Sequence, residues 1–159
     1  MQIYMGVKIF TIVSALAFVV AGCASNPNSL RDRPAGSLDF VSTESLPKVF
    51  EAIKSQAERC NPGDYKSTFN VQVGVAPLPY TSTTTFSVKS NISSDHSKAE
   101  IFFIGTNTMT NHYMIIDLSL VGSAGTKVVT SYKYPLWRDS AAAVEDWSRG
   151  DLRKCWFPG

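Results

Sequence analysis

Apolar residues follow two different rhythms along this chain. In residues 45–60, SLPKVFEAIKSQAERC, Leu46, Val49, Phe50, Ile53, Ala57 and Cys60 recur at steps of three and four, while Lys48, Glu51, Lys54, Gln56, Glu58 and Arg59 occupy the other side. That spacing lays one apolar stripe along a helix, with the charges on its solvated face. Ser45 is placed to cap the helix, Pro47 suits a first turn, and Asn61-Pro62-Gly63 ends it. From Tyr65 the period shortens to two. In YKSTFNVQVGV, Tyr65, Phe69, Val71, Val73 and Val75 share one face, and Lys66, Thr68, Asn70 and Gln72 the other. YTSTTTFSVKS alternates again, with Tyr80, Phe86 and Val88 together, and KAEIFFIG, HYMIIDLSLVG and TKVVTSYKYP continue the series across short polar loops. Short connections make antiparallel meanders.

Two further elements flank this core. SLDFVS, with Leu38 and Phe40 on one face, reads as a short strand ahead of the helix. RDSAAAVEDWSRG reads as a closing helix, capped by Asp139 or Ser140, with Ala143, Val144 and Trp147 as its apolar edge and Gly150 at its end. The order is strand, helix, five strands, helix. Helices before and after a meander must cover one sheet face, which predicts a two-layer α+β domain with two helices packed on one side of an antiparallel sheet of about five to six strands. That order resembles the helix-grip arrangement, in which an antiparallel sheet wraps a carboxy-terminal helix. It is also similar in outline to modules of envelope-assembly lipoproteins.

The first residues carry a different signal. VKIFTIVSALAFVVAG has a single charge, Lys8, ahead of an apolar run that stops at the polar ASNPNSLRDRP. A cationic start, an apolar stretch of roughly 7–15 residues and small residues before a cut describe a secretory leader. A spanning helix would need about 20 apolar residues. Val20, Ala21, Gly22 and Cys23 resemble the lipobox of bacterial lipoproteins: an aliphatic residue, two small ones and the cysteine. The resemblance implies that the Cys23 thiol takes a diacylglycerol, that residues 1–22 are removed, and that the new amino terminus is acylated with a fatty acid such as palmitate. Two or more chains anchor firmly, because each buried methylene contributes about 0.8 kcal/mol. The absence of Asp directly after Cys23, where Ala24 stands, resembles lipoproteins passed on to the outer membrane of Gram-negative bacteria. The expected organisation is therefore a leader (1–22), a lipidated flexible linker (23–36) broken by Pro27, Pro34 and Gly36, and a single domain (37–159). Such a linker spans on the order of 20 Å, which keeps the domain near the membrane.

Removing residues 1–22 from 159 leaves 137, enough for one core. With Lys8 gone, 14 of the 15 basic residues face 13 acidic ones. This balance gives no reason to expect a nucleic acid or an acidic polymer as partner. With Cys23 assigned to lipid, Cys60 and Cys155 remain, and an even remainder in an oxidising periplasm reads as a disulfide. Two buried thiols or a catalytic thiol are the alternatives, although no CxxC motif is present.

The candidate chemistry is thin. Ser93, Ser94, Asp95 and His96 supply the residue types of a hydrolase triad, yet neighbours in one polar loop do not aim at one another as nucleophile, base and orienter, and no GxSxG elbow is present. His96 and His112, with Asp95 and Asp117, lack the spacing of a zinc site. Glu145 and Asp146 diverge by about 100° on a helix and cannot share a substrate bond. No catalytic residue, metal or cofactor is expected. The strand aromatics, Tyr65, Phe69, Tyr80, Phe86, Phe103, Tyr113, Tyr132 and Tyr134, belong to the core or, if the sheet curves, partly to a cavity for a lipid or apolar peptide. Trp137, Trp156 and Phe157 sit at loop or terminal positions, and the terminal WFPG is the expected exposed patch. The function expected is that of a non-enzymatic interaction or assembly module, anchored to the outer membrane and facing the periplasm, with an envelope protein as partner. The alternative is a carrier of a small hydrophobic ligand held between sheet and helices.

Overall fold

A computed structural model describes residues 26–74, 76–123, 125–151 and 155. Cys23 and the whole lipobox, and Trp156 and Phe157 of the carboxy terminus, lie outside the described residues. The elements are α1 (Pro27–Asp32), β1 (Gly36–Ser42), α2 (Leu46–Arg59), β2 (Asp64–Val73), β3 (Ala76–Ile92), β4 (Lys98–Thr106), β5 (Thr110–Val121), β6 (Gly125–Tyr132), a 3-10 turn (Pro135–Trp137) and α3 (Arg138–Ser148). The six strands form one sheet in the order β1-β6-β5-β4-β3-β2, antiparallel at every junction. Strands β2 to β6 are the meander that their short connections require, and β1 closes the far side by pairing with β6. Among the described residues, no helix is long and apolar enough to cross a membrane.

Helices α2 and α3 pack against each other and over one face of the sheet, as the expected α+β arrangement has it, and the short α1 adds a third helix on the other face. The stripe expected on α2 is its buried face: Leu46, Val49, Phe50, Ile53 and Ala57 join Ile101, Phe103, Met114, Ile116, Leu118 and Val128 from the sheet. Ala143, Val144 and Trp147 bring α3 into the same core. Each large aliphatic side chain fully withdrawn from water contributes about 1.5–3 kcal/mol. Gln56, expected on the solvated face, is instead buried and donates from Nε2 to Cys60 Sγ at 3.1 Å. Cys60 and Cys155 are joined as a disulfide, with their Cα atoms 5.2 Å apart. The bond ties the end of α2 to the chain beyond α3.

One expectation at the helix ends needs correction. Neither Asp139 nor Ser140 caps α3: the 3-10 turn runs straight into the helix, so it starts at Arg138 and places Ser140 in its first turn, buried. Gly150 does end the helix, at φ +80°, a conformation that glycine adopts without penalty.

The larger correction concerns the linker. Residues 23–36 were expected as a flexible linker, but within them Pro27–Asp32 form α1, a folded element lying over β5 and β6. The Asn26 side chain accepts from the Asn28 backbone N–H at 3.0 Å, Pro27 starts the helix, and Leu30 is buried. Arg31 then reaches Asp117 on β5 and Glu100 on β4. These partners lie on the face opposite α2 and α3, because Glu100 and Asp117 alternate with the core residues Ile101, Ile116 and Leu118. A sequence of prolines and polar residues reads as loop locally. Its order comes from contacts with residues 69 to 86 positions away, which no local period reveals.

Candidate functional site

Strand β3 has 17 residues, about twice what the sheet uses. Its second half, from Thr85 to Ile92, pairs with β4. Its first part, from Ala76 to Thr84, pairs only with β2, so residues 65–84 form a two-stranded arm that continues past the end of β4 at Thr106. Cross-strand partners share a face. On one face Tyr65, Phe69 and Val71 meet Thr84, Tyr80 and Leu78; on the other Lys66, Thr68 and Asn70 meet Thr83, Thr81 and Pro79. The apolar face continues into Phe86 and Val88, which pack against the core. The arm is thus the core-facing surface of the sheet, carried beyond the helices that would cover it.

That placement corrects the expectation for the arm's aromatics. Tyr65, Phe69 and Tyr80 have the alternation of core residues, yet Phe69 is 50% exposed, Tyr80 52% and Leu78 53%. The Phe69 and Tyr80 rings contact each other with centroids 5.1 Å apart. No charged residue occurs between Lys66 and Lys89. An exposed ribbon normally carries charges for solubility, and contiguous exposed apolar surface marks contact sites.

At the base of the arm the same face opens into a groove of about 350 Å³, walled by Tyr65, Phe86, Tyr113, Tyr134, Leu136 and Trp137. A bulge builds it. Phe103 pairs with Met114 and Ile104 with His112, which leaves Tyr113 as the extra residue of β5 and turns its ring towards the helices. Gly105 makes the space: a Cβ there would come within 2.5 Å of the Tyr113 ring. Tyr113 packs edge-on against Phe86, at 5.1 Å between centroids, and contacts Trp137 at 5.5 Å and Tyr134 at 5.8 Å. Burial, followed by the neighbouring Tyr134, raises the Tyr113 hydroxyl above the ordinary tyrosine range, so it stays a neutral donor. Trp137, expected in an exposed loop, is 2% exposed and forms the floor. The groove can hold a flat or extended apolar group by stacking, and its hydroxyls offer polar ends.

The polar loop between β3 and β4 organises itself around one carboxylate. Asp95 accepts from Ser93 Oγ at 2.6 Å and from Ser97 N–H at 3.1 Å and Oγ at 2.9 Å. These bonds, that of Ser93 first, lower its pKa to about 2. Ser93 therefore points at Asp95 as a turn constraint. His96 follows with φ +53°, its backbone N–H donated to Ser93 O. His112 lies near the far end of β4, opposite Ile104 and edge-on to Phe102 at 5.7 Å, so the two histidines do not converge. Glu145 pairs with Arg149 along α3.

Sequence reasoning found Tyr65, Phe69, Tyr80, Phe86, Tyr113 and Tyr134 as a set but not their exposure, and it missed Leu78 and Leu136. The unusual length of uncharged sequence from residue 67 to 88 was the available signal.

No protein-family model matches the chain, and no curated protein matches it. Among solved structures it is similar to a protein from Chromobacterium violaceum, at 10% identity and TM-score 0.35 over 73% of this chain and 94% of that one. It is similar to Ara h 8.0201 at 10% identity and TM-score 0.35, over 75% and 97% of the two chains. Norcoclaurine synthase from Thalictrum flavum gives 10% identity and TM-score 0.30 over 75% and 86%.

Proposed function

We propose that this chain is a lipoprotein of the Gram-negative outer membrane, held through Cys23 and facing the periplasm, that works as a non-enzymatic interaction module for another envelope component. The arm and the groove at its base are its contact surface. The observation that carries this reading is the uncharged arm whose core-facing side exposes Phe69, Leu78 and Tyr80 by about half each. Large aromatics backed by a rigid ladder expose much contact area at little entropy cost, and Tyr and Phe are enriched where proteins meet. The lipobox-like Val20–Cys23 supports the address. The arrangement of β1 beside β6, with α3 over both, supports a helix-grip form of the α+β fold.

A second reading, a carrier for a small hydrophobic ligand, is favoured by the groove itself. Its volume of about 350 Å³ falls at the low end of the roughly 300–1,000 Å³ of small-molecule sites.

A photoreactive phenylalanine placed singly at Phe69, Tyr80 or Thr81 in cells tests the proposal. Discrete crosslinked products from positions 69 and 80, and none from Thr81 on the polar face, are expected. Equal labelling from both faces would end the contact reading. Native mass spectrometry that finds a bound small molecule, with no crosslinked protein, would favour the carrier.

A further inference from the structure

The backbone of the arm has two edges, and they differ. The amide of Phe86 donates to Gly63 O at 2.8 Å, so even-numbered residues of β3 bond towards β2, and odd-numbered ones point the other way. Pro77 and Pro79 therefore remove two donors from the outer edge of β3, the usual way in which an edge is blunted. By the same alternation, Asp64, Lys66, Thr68, Asn70 and Gln72 of β2 turn their N–H and C=O groups outward. The 2.9 Å contact between the hydroxyls of Thr68 and Thr81 fits this, since side chains come closest in pairs that exchange no backbone bonds. β2 is the last strand of the sheet, is ten residues long, and contains neither proline nor glycine. The opposite edge, β1, is only seven residues long and carries the exposed charge Asp39, paired with Lys127.

We propose that β2 is a dimerisation edge: it pairs antiparallel with β2 of a second copy of this chain, joining the two arms into one four-stranded ribbon. Parity and charge both fit a second copy. The outward backbone groups belong to even residues and the apolar side chains to odd ones. Antiparallel pairing of β2 with itself, centred at Thr68, Phe69 or Asn70, matches even with even, so the outward groups that face each other find partners and both apolar faces fall on the same side. Charge fits as well. Asp64 and Lys66 lie at one end of the strand, so self-pairing sets them opposite the neutral tip of the other copy. A bilayer is the poorer occupant, because hydrocarbon cannot satisfy the open amides of a two-stranded ribbon. The contact is isologous and closed: each copy covers the other's β2 edge. The pairing stands independently of the lipid anchor and of the envelope partner.

Cysteine scanning of the full-length chain in cells tests it. Ser67→Cys, Phe69→Cys, Val71→Cys and, as the control on the other edge, Val41→Cys are introduced singly. Disulfide-linked dimers are expected along β2, strongest at one position and weaker to either side, with none at Val41. In the Ser67→Cys background, Asn70→Pro removes an outward N–H without touching the ladder to β3, and Phe69→Lys sets like charges beside the two-fold axis. Both should abolish the dimer while leaving the circular dichroism spectrum unchanged. Absence of dimers, dimers equally strong at Val41, or a dimer indifferent to both Asn70→Pro and Phe69→Lys would overturn the proposal.

Discussion

The Arg31 guanidinium grips the Asp117 carboxylate with two bonds, Nε to Oδ2 at 2.9 Å and Nη2 to Oδ1 at 2.7 Å, and this grip fastens α1 to the open face of the sheet. The same Nη2 reaches Glu100 Oε1 at 2.5 Å, and the guanidinium lies 5.9 Å from the centre of the Phe102 ring. Hydrogen bonding to Asp117, opposed by partial burial and helped by the charges of Asp117 and Glu100, raises the arginine's pKa further. Arg31→Ala should cost about 1–2 kcal/mol, a figure held down by the quarter to third of each side chain that stays in water. Arg31→Lys should recover little of it, because an ammonium cannot grip both oxygens. Urea denaturation measures both.

The disulfide closes a span of 95 residues. Loop-closure entropy for such a span corresponds to about 4–5 kcal/mol as an upper figure, and removal of native disulfides costs about 2–5 kcal/mol. The paired substitution Cys60→Ser with Cys155→Ser should lower stability by an amount in that range. Reduction of the native chain should lower its melting temperature likewise. Mass spectrometry without reduction should find the two cysteines in one linked peptide.

Gly105→Ala tests how the groove is built. The added Cβ would press on the Tyr113 ring and come within 3.1 Å of Phe86. Overpacking of this kind costs about 1–3 kcal/mol. The near-ultraviolet circular dichroism arising from Tyr113 and Trp137 should change as the ring is displaced. Gly122→Ala, where nothing lies within 4 Å of the added carbon, carries a positive-φ penalty at the other end of β5 from Tyr113, and its near-ultraviolet spectrum should stay as it is.

The loop carboxylate gives a pH signature. Asp95 has its pKa depressed to about 2 against an ordinary value near 3.9, so it stabilises the folded loop above the ordinary value. That contribution fades as pH falls through the interval and is gone below about 2. Carboxyl NMR should find its midpoint near 2, and Ser93→Ala should move it upward, because the Ser93 hydroxyl is the chief cause of the depression.

Much of this fold was legible because its periods are local. The α2 stripe from Leu46 to Ala57 and the alternation of the strands belong to short windows, and α2 and the strands sit close to where those windows place them, although β3 starts at Ala76, before the expected Tyr80. What stayed hidden depended on distant partners. Arg31 reads as a linker residue until Asp117 and Glu100 come beside it. Trp137 reads as a loop residue until the bulge at Tyr113 and the 3-10 turn close over it. Phe69 and Tyr80 have the alternation of core residues, and period alone cannot tell that β4 stops at Thr106 and leaves them uncovered.

Fractionation of cells expressing the wild-type chain and Cys23→Ser shows whether Cys23 holds the contact module at the membrane. The wild type should sediment with the outer membrane and carry acyl chains on Cys23, while Cys23→Ser should be released in soluble form with the same circular dichroism spectrum and disulfide. Retention of Cys23→Ser in the outer membrane at the wild-type level would contradict that anchoring.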